Sequence, residues 1–184
     1  MTLTLTAGER SDFLALAREA IHAHLTGGPR PRLQGGNASA RLGAFVSLHL
    51  GTELRGCIGH PHGDRPLGEV IAQCAVSAAS EDPRFPPLTL AEWAAARIEI
   101  SVLGPLEPVK DVAEIVVGRH GLIVSQGYLK GLLLPQVATE YGWDRETLLA
   151  HTCLKAGLRR DAWKSGVEIS RFEAEVFAEQ AVES

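Results

Sequence analysis

Two alternating runs, AFVSLHL (44–50) and ELRGCIG (53–59), are separated only by Gly51 and Thr52. So short a connection, with glycine in it, points to an antiparallel β-hairpin. Side chains alternate along a strand, so Leu54, Gly56 and Ile58 are expected on one face. Arg55 and Cys57 then share the other, about 7 Å apart. The hairpin (about 44–59) thus carries a thiol beside a guanidinium, and His60 and His62 follow at once.

The rest of the chain must cover the apolar face. SDFLALAREAIHAHL places Phe13, Leu14, Ala17, Ile21, His24 and Leu25 on one helical stripe, predicting a helix over about 10–25. Ser11 or Asp12 would cap it and Gly27-Gly28-Pro29 would end it. A loop rich in Gly, Pro and Arg follows (about 26–41), of a length often functional or mobile. Asp64 and Pro66 predict the start of a second helix, with Leu67, Val70, Ile71, Cys74, Ala75 and Ala78 on its core stripe. Thr89 and Glu92 form a capping-box pattern for a third, short helix. RIEISVLG alternates as a strand, with Ile98, Ile100 and Val102 facing one way.

Beyond it, DVAEIVV reads as a short helix, and residues 118–135 as a second hairpin turning at Gln126-Gly127. QVATEYG is helical. Trp143 and Leu148 bracket a cap at Asp144, and that helix ends at Gly157 with Cys153 buried. VEISRFEAEVFAE reads as one strand with a face switch, a bulge, near Arg171-Phe172. Helices and hairpins without regular βαβ alternation predict an α+β fold, with mixed or antiparallel sheet and flanking helices.

With 184 residues, 45% hydrophobic and 22% charged, the chain is expected to form a single domain over 1–184, with room for two lobes. A net charge of −4 argues against nucleic-acid or membrane-surface partners, although GGPRPRLQGGNASARL leaves a local basic spot. No run is long and apolar enough for a membrane span, and no export signal stands out. Three cysteines suit a reducing compartment, so a cytoplasmic location is expected. No nucleotide, zinc-protease, hydrolase or thioredoxin motif occurs, and no cofactor is expected.

The motifs taken in order resemble one family. LRGCIG (54–59), SEDPRF (80–85), IEISVL (98–103), GRHGLIV (118–124), LLPQVATEYGW (133–143) and CLKAGL (153–158) are similar to the AMMECR family, whose prokaryotic members are called AmmeMemoRadiSam system protein A. The resemblance spans about three quarters of the chain. It implies a compact α+β fold with a larger and a smaller lobe and a cleft between them. It also implies association with a Memo-type protein and a radical-SAM enzyme, and it supplies no reaction, small-molecule ligand or peptide ligand.

Cys57 has two readings that stay open. As a nucleophile or redox thiol it would draw on Arg55 for charge and on His120, the family's recurrent histidine, for proton transfer. As a structural residue it fills a tight place near Gly56 and Gly59. Cys57, His60 and His62, with Asp64 as a fourth group, have a metal-ligand spacing, but HPHGDRP has the composition of a solvated turn and no metal site is expected. Asp82 and Arg84 either bind a polar ligand or partner, or brace their loop, with Pro83 fixing it and Phe85 anchored in the core. Gln136, at a helix start, is the remaining binding candidate. Two hypotheses follow: a stand-alone enzyme using Cys57, Arg55 and His120, or a binding component whose partner performs the chemistry.

Overall fold

The computed structural model describes residues 3–181. The fold is α+β, with five helices and two four-stranded antiparallel sheets among the described residues. The chain divides into two compact units, one built from Leu3–Leu103 with the last strand from Glu175 on, the other from Gly104–Ala174.

In the larger unit, β1 (Ala44–Leu50) is central, flanked by β2 (Glu53–His60) and β3 (Ala96–Leu103), with β8 (Ala174–Ala178) outside β3. Helices α1 (Ala7–Thr26) and α2 (Leu67–Ser80) bury one sheet face, and α3 (Leu90–Trp93) precedes β3. That face is apolar by alternation: Ala44, Val46 and Leu48 from β1, and Ile98, Ile100 and Val102 from β3. The expected α2 stripe is buried in full. Gly56 permits close approach, since a Cβ there would lie 2.2 Å from the Ala78 carbonyl oxygen.

Several local readings need correction. Helix α1 begins earlier than 10, because Thr6 and Glu9 form a capping box that captures its free N–H groups. His24 is exposed, while Leu16 and Ala20 complete the buried stripe. Asp64 does not cap α2; its carboxylate is taken by His60 Nε2 at 2.6 Å, and the cap position is Pro66. The β1–β2 register shifts between Leu48 and His49, pairing Leu54 with His49 and not continuing the alternation. Directly paired residues share a face, so the bulge moves Leu54 away from the face of Gly56, and it is 38% exposed.

The smaller unit has strand order β4 (Glu107–Pro108), β7 (Glu168–Phe172), β5 (Gly121–Gln126), β6 (Leu129–Leu133). Gln126 pairs with Leu129, so the turn is Gly127-Tyr128, one residue later than expected, with Gly127 at φ 60°. Helices α4 (Pro135–Glu140) and α5 (Arg145–Lys155) follow, and the region 112–114 is a 3-10 turn. Asp144 caps α5 through the Thr147 N–H at 2.8 Å. Leu148, Leu149, Leu122, Leu133 and Ile115 form the core, with Trp143 packed against it. The predicted strand 167–179 is two strands in two sheets, β7 and β8, parted at Glu173; the face switch is a change of sheet, not a bulge.

Candidate functional site

Strand β2 is the edge of its sheet, so every second residue turns a backbone N–H and C=O outward with no strand to receive them. At Cys57 both groups are met by side chains from one loop. The Asp82 carboxylate accepts the Cys57 N–H at 2.9 Å, and Arg84 Nη2 donates to the Cys57 carbonyl at 3.4 Å. Asp82 and Arg84 are themselves joined by two bonds, Nε to Oδ1 at 3.0 Å and Nη2 to Oδ2 at 2.7 Å. The Arg84 backbone N–H adds a third to Asp82 Oδ1. This pair occupies the place of a neighbouring strand.

A residue whose backbone points outward is paired with its neighbour in the close, non-hydrogen-bonded fashion. Cys57 is opposite Ser47, and the Ser47 hydroxyl donates to Cys57 Sγ at 3.1 Å. Ser47 is the site residue that sequence reasoning missed: counted back from Gly51-Thr52 in regular register, Val46 would stand opposite Cys57, and the shift between Leu48 and His49 brings Ser47 there instead. Cys57 is half-buried on the sheet face turned away from α1 and α2.

Arg55 is bound as a fork by Glu92, Nε to Oε1 and Nη2 to Oε2, both at 3.1 Å, and reaches the Pro87 carbonyl at 3.5 Å. Glu92 also closes the capping box with Thr89, as the sequence predicts. Phe85 is half-buried beneath both guanidiniums, 5.9 Å from Arg55 and 5.4 Å from Arg84, and is not the core anchor expected of it.

The electrostatics follow from these bonds. Hydrogen bonding to Arg84 holds the Asp82 carboxyl far below the ordinary carboxylate range, against the upward push of burial. Arg55 draws Glu92 down to about 2. Burial pushes the Cys74 thiol up to about 11 and raises Cys153 as well.

His120 and Gln136 belong to the smaller unit. His120 is buried, and its Nδ1 accepts the Val116 N–H at 2.9 Å, which places a proton of the neutral ring on Nε2. Burial, then Arg171 and Arg119, lower its pKa, so the ring is neutral at pH 7. Gln136 Oε1 is buried and has no hydrogen-bond partner among the described residues.

No group of three or more His, Cys, Asp or Glu side chains is arranged to hold a metal among the described residues. His60 is engaged by Asp64 and lies edge-on to His62 at 5.8 Å. No described helix is long and apolar enough to cross a membrane.

The AMMECR1 family model matches residues 14–177. Protein MJ0810 of Methanocaldococcus jannaschii is 51% identical over 148 residues, covering 76% of this chain and 74% of the relative. Protein Mbar_A1807 of Methanosarcina barkeri is 45% identical over 187 residues, covering 96% and 93%. The crystal structure of the uncharacterized protein PH0010 from Pyrococcus horikoshii superposes with a TM-score of 0.87 at 40% identity, covering 92% of this chain and 91% of that one. Through the family match along most of its length, and through relatives of this identity, the chain belongs to the AMMECR1 family.

Proposed function

We propose that this chain is a cytoplasmic binding component that works with a Memo-type protein and a radical-SAM enzyme, and that it engages its partner or ligand through the surface around Leu54–Gly59 and Ser80–Phe85. The observation that carries this reading is the backbone lock on Cys57 by Asp82 and Arg84. It spends Asp82 and Arg84 of the EDPRF loop on holding an edge strand still, the requirement of a surface that must keep its shape. Arg55 is likewise matched by Glu92, so the hallmark arginine serves the architecture of that surface. The partner classes come from the family resemblance, and the compartment from cysteine usage.

The test is direct binding of the purified chain to the Memo-type and radical-SAM proteins of the same cell, by biolayer interferometry. Arg84 is 56% exposed at its side chain, so Arg84→Ala alters the surface more than the core. The expected result is complex formation weakened about tenfold by Arg84→Ala, with Cys57→Ser within about twofold of wild type. Turnover of a substrate by the isolated chain, lost in Cys57→Ser, would overturn the reading and support the stand-alone enzyme, which the Ser47–Cys57 contact favours.

A further inference from the structure

Between Glu19 and Glu53 the chain carries no acidic residue, while Arg30, Arg32 and Arg41 fall in that interval. In a chain of net charge −4 this is a local reversal of sign. The fold lays the segment along α2. Arg30 Nη1 donates to Gln73 Oε1 at 2.8 Å. The Leu33 carbonyl lies so close to Gly68 that a Cβ there would be 2.8 Å from its oxygen. Arg41 bridges to Pro66 and donates to the Asp64 carbonyl, which brings it beside Arg65. Four arginines therefore line roughly 10 Å of helix axis, from Pro66 to Gln73.

The segment is pinned. Ala38 is buried, Asn37 Nδ2 donates to Glu9 Oε1 at 2.8 Å, and the Leu67 N–H donates to the Ala40 carbonyl at 2.8 Å. Arg30, Arg32 and Arg41 are exposed. The acids against the segment and the strip are Glu9, bonded to Asn37 and to Thr6, Asp64, engaged by His60, and Glu69, exposed in the first turn of α2.

We propose that this strip is a docking surface for an acidic segment of a partner protein. All its cations up to that point are arginines, since the first lysine of the chain is Lys110. The planar guanidinium fork matches a carboxylate with two bonds, which an ammonium does not do. Nucleic acid fits less well. No Phe, Tyr or Trp occurs between Phe13 and Phe45 to stack on bases. The anchored backbone holds the arginines ready, so little loop entropy is lost on docking. The strip excludes Cys57, Asp82 and Arg84, so its test stands or falls apart from that of the proposed function.

The experiment is fluorescence anisotropy of a fluorescein-labelled octaglutamate peptide with the full chain at 50 and 300 mM salt. Wild type is expected to bind, more weakly at the higher salt. The Arg30→Glu, Arg32→Glu double variant should weaken binding about tenfold, and Arg32→Gln, at an exposed side chain, about threefold. Arg160→Glu, in the other unit, should stay within about twofold. Absence of binding by wild type at 50 mM salt, or equal losses in the Arg160→Glu control, would overturn the proposal. So would tighter binding of an eight-nucleotide single-stranded RNA than of the peptide, which would assign the strip to nucleic acid.

Discussion

The Asp82 carboxylate accepts the backbone N–H of Cys57 at 2.9 Å, across 25 positions of chain, and so joins the EDPRF loop to the LRGCIG strand. The side chain of Asp82 is 3% exposed, and its second partner, Arg84, is largely in solvent. The bond therefore contributes chiefly by satisfying a buried carboxylate and an edge N–H, with the ion pair itself discounted for screening.

Replacing Asp82 with Ala should cost about 1–3 kcal/mol at pH 7, measured by urea unfolding, because the Cys57 N–H loses its acceptor. The acid limb has a definite sign. A carboxyl lowered by folding adds stability that is full above its unfolded value, near 3.9, and is lost as pH falls through and below that value. Urea midpoints of wild type should therefore fall as pH drops from about 5 toward 2, and those of Asp82→Asn should fall less steeply. Parallel curves would count against Asp82 as the titrating anchor.

Gly56 and Gly59 separate two kinds of crowding. A Cβ at Gly56 would meet backbone, the Ala78 carbonyl oxygen, at 2.2 Å; one at Gly59 would meet the Phe45 ring at the same 2.2 Å. A ring can turn to another rotamer, whereas a helix carbonyl moves only with its helix. Gly56→Ala should lose about 3 kcal/mol or more, and Gly59→Ala about 1–3 kcal/mol, by thermal or urea unfolding. The reverse order would show that α2 shifts more easily than Phe45.

Alkylation should distinguish the three cysteines in one experiment. Cys74 and Cys153 are buried, with thiols raised by burial, so iodoacetamide at pH 8 should leave them intact until the protein unfolds. Cys57 is half-buried and should be modified first, as read by peptide mass spectrometry. Modification of Cys74 ahead of Cys57 would contradict the packing of α2 on the sheet.

Trp143 should anchor the smaller unit. Its ring stacks on His151 at 4.0 Å and on Tyr141 at 5.1 Å, directly before the Asp144 cap of α5. Trp143→Ala should cost about 3 kcal/mol, and Trp143→Phe distinctly less because a ring remains for stacking. Equal losses in a denaturant titration would mean that the stack adds nothing beyond volume.

Local chemistry was readable directly. The α2 stripe from Leu67 to Ala78, the Thr89–Glu92 box, the Asp144 cap and the 44–59 hairpin all rest on interactions within a few residues, where periodicity and capping patterns carry the information. Gly56 and Gly59 were visible in the sequence as places of close approach, which they are, against the Ala78 carbonyl and the Phe45 ring. Misreadings arose where two local signals competed: Thr6 and Asp12 both suit an N-cap, and Asp64 suits a cap until His60 takes it.

What the sequence determined by itself is the local elements that periodicity and capping mark, the 44–59 hairpin, α2, α3 and α5 among them. Only the tertiary structure decided that Arg55 is held by Glu92, that Asp82 and Arg84 lock Cys57, and that residues 168–178 divide between two sheets. The physical reason is separation along the chain. A carboxylate 25 or 37 residues away leaves no periodic trace at the group it binds, so which charges are matched, and which remain on the surface, is settled when the loops are brought to the sheet edge.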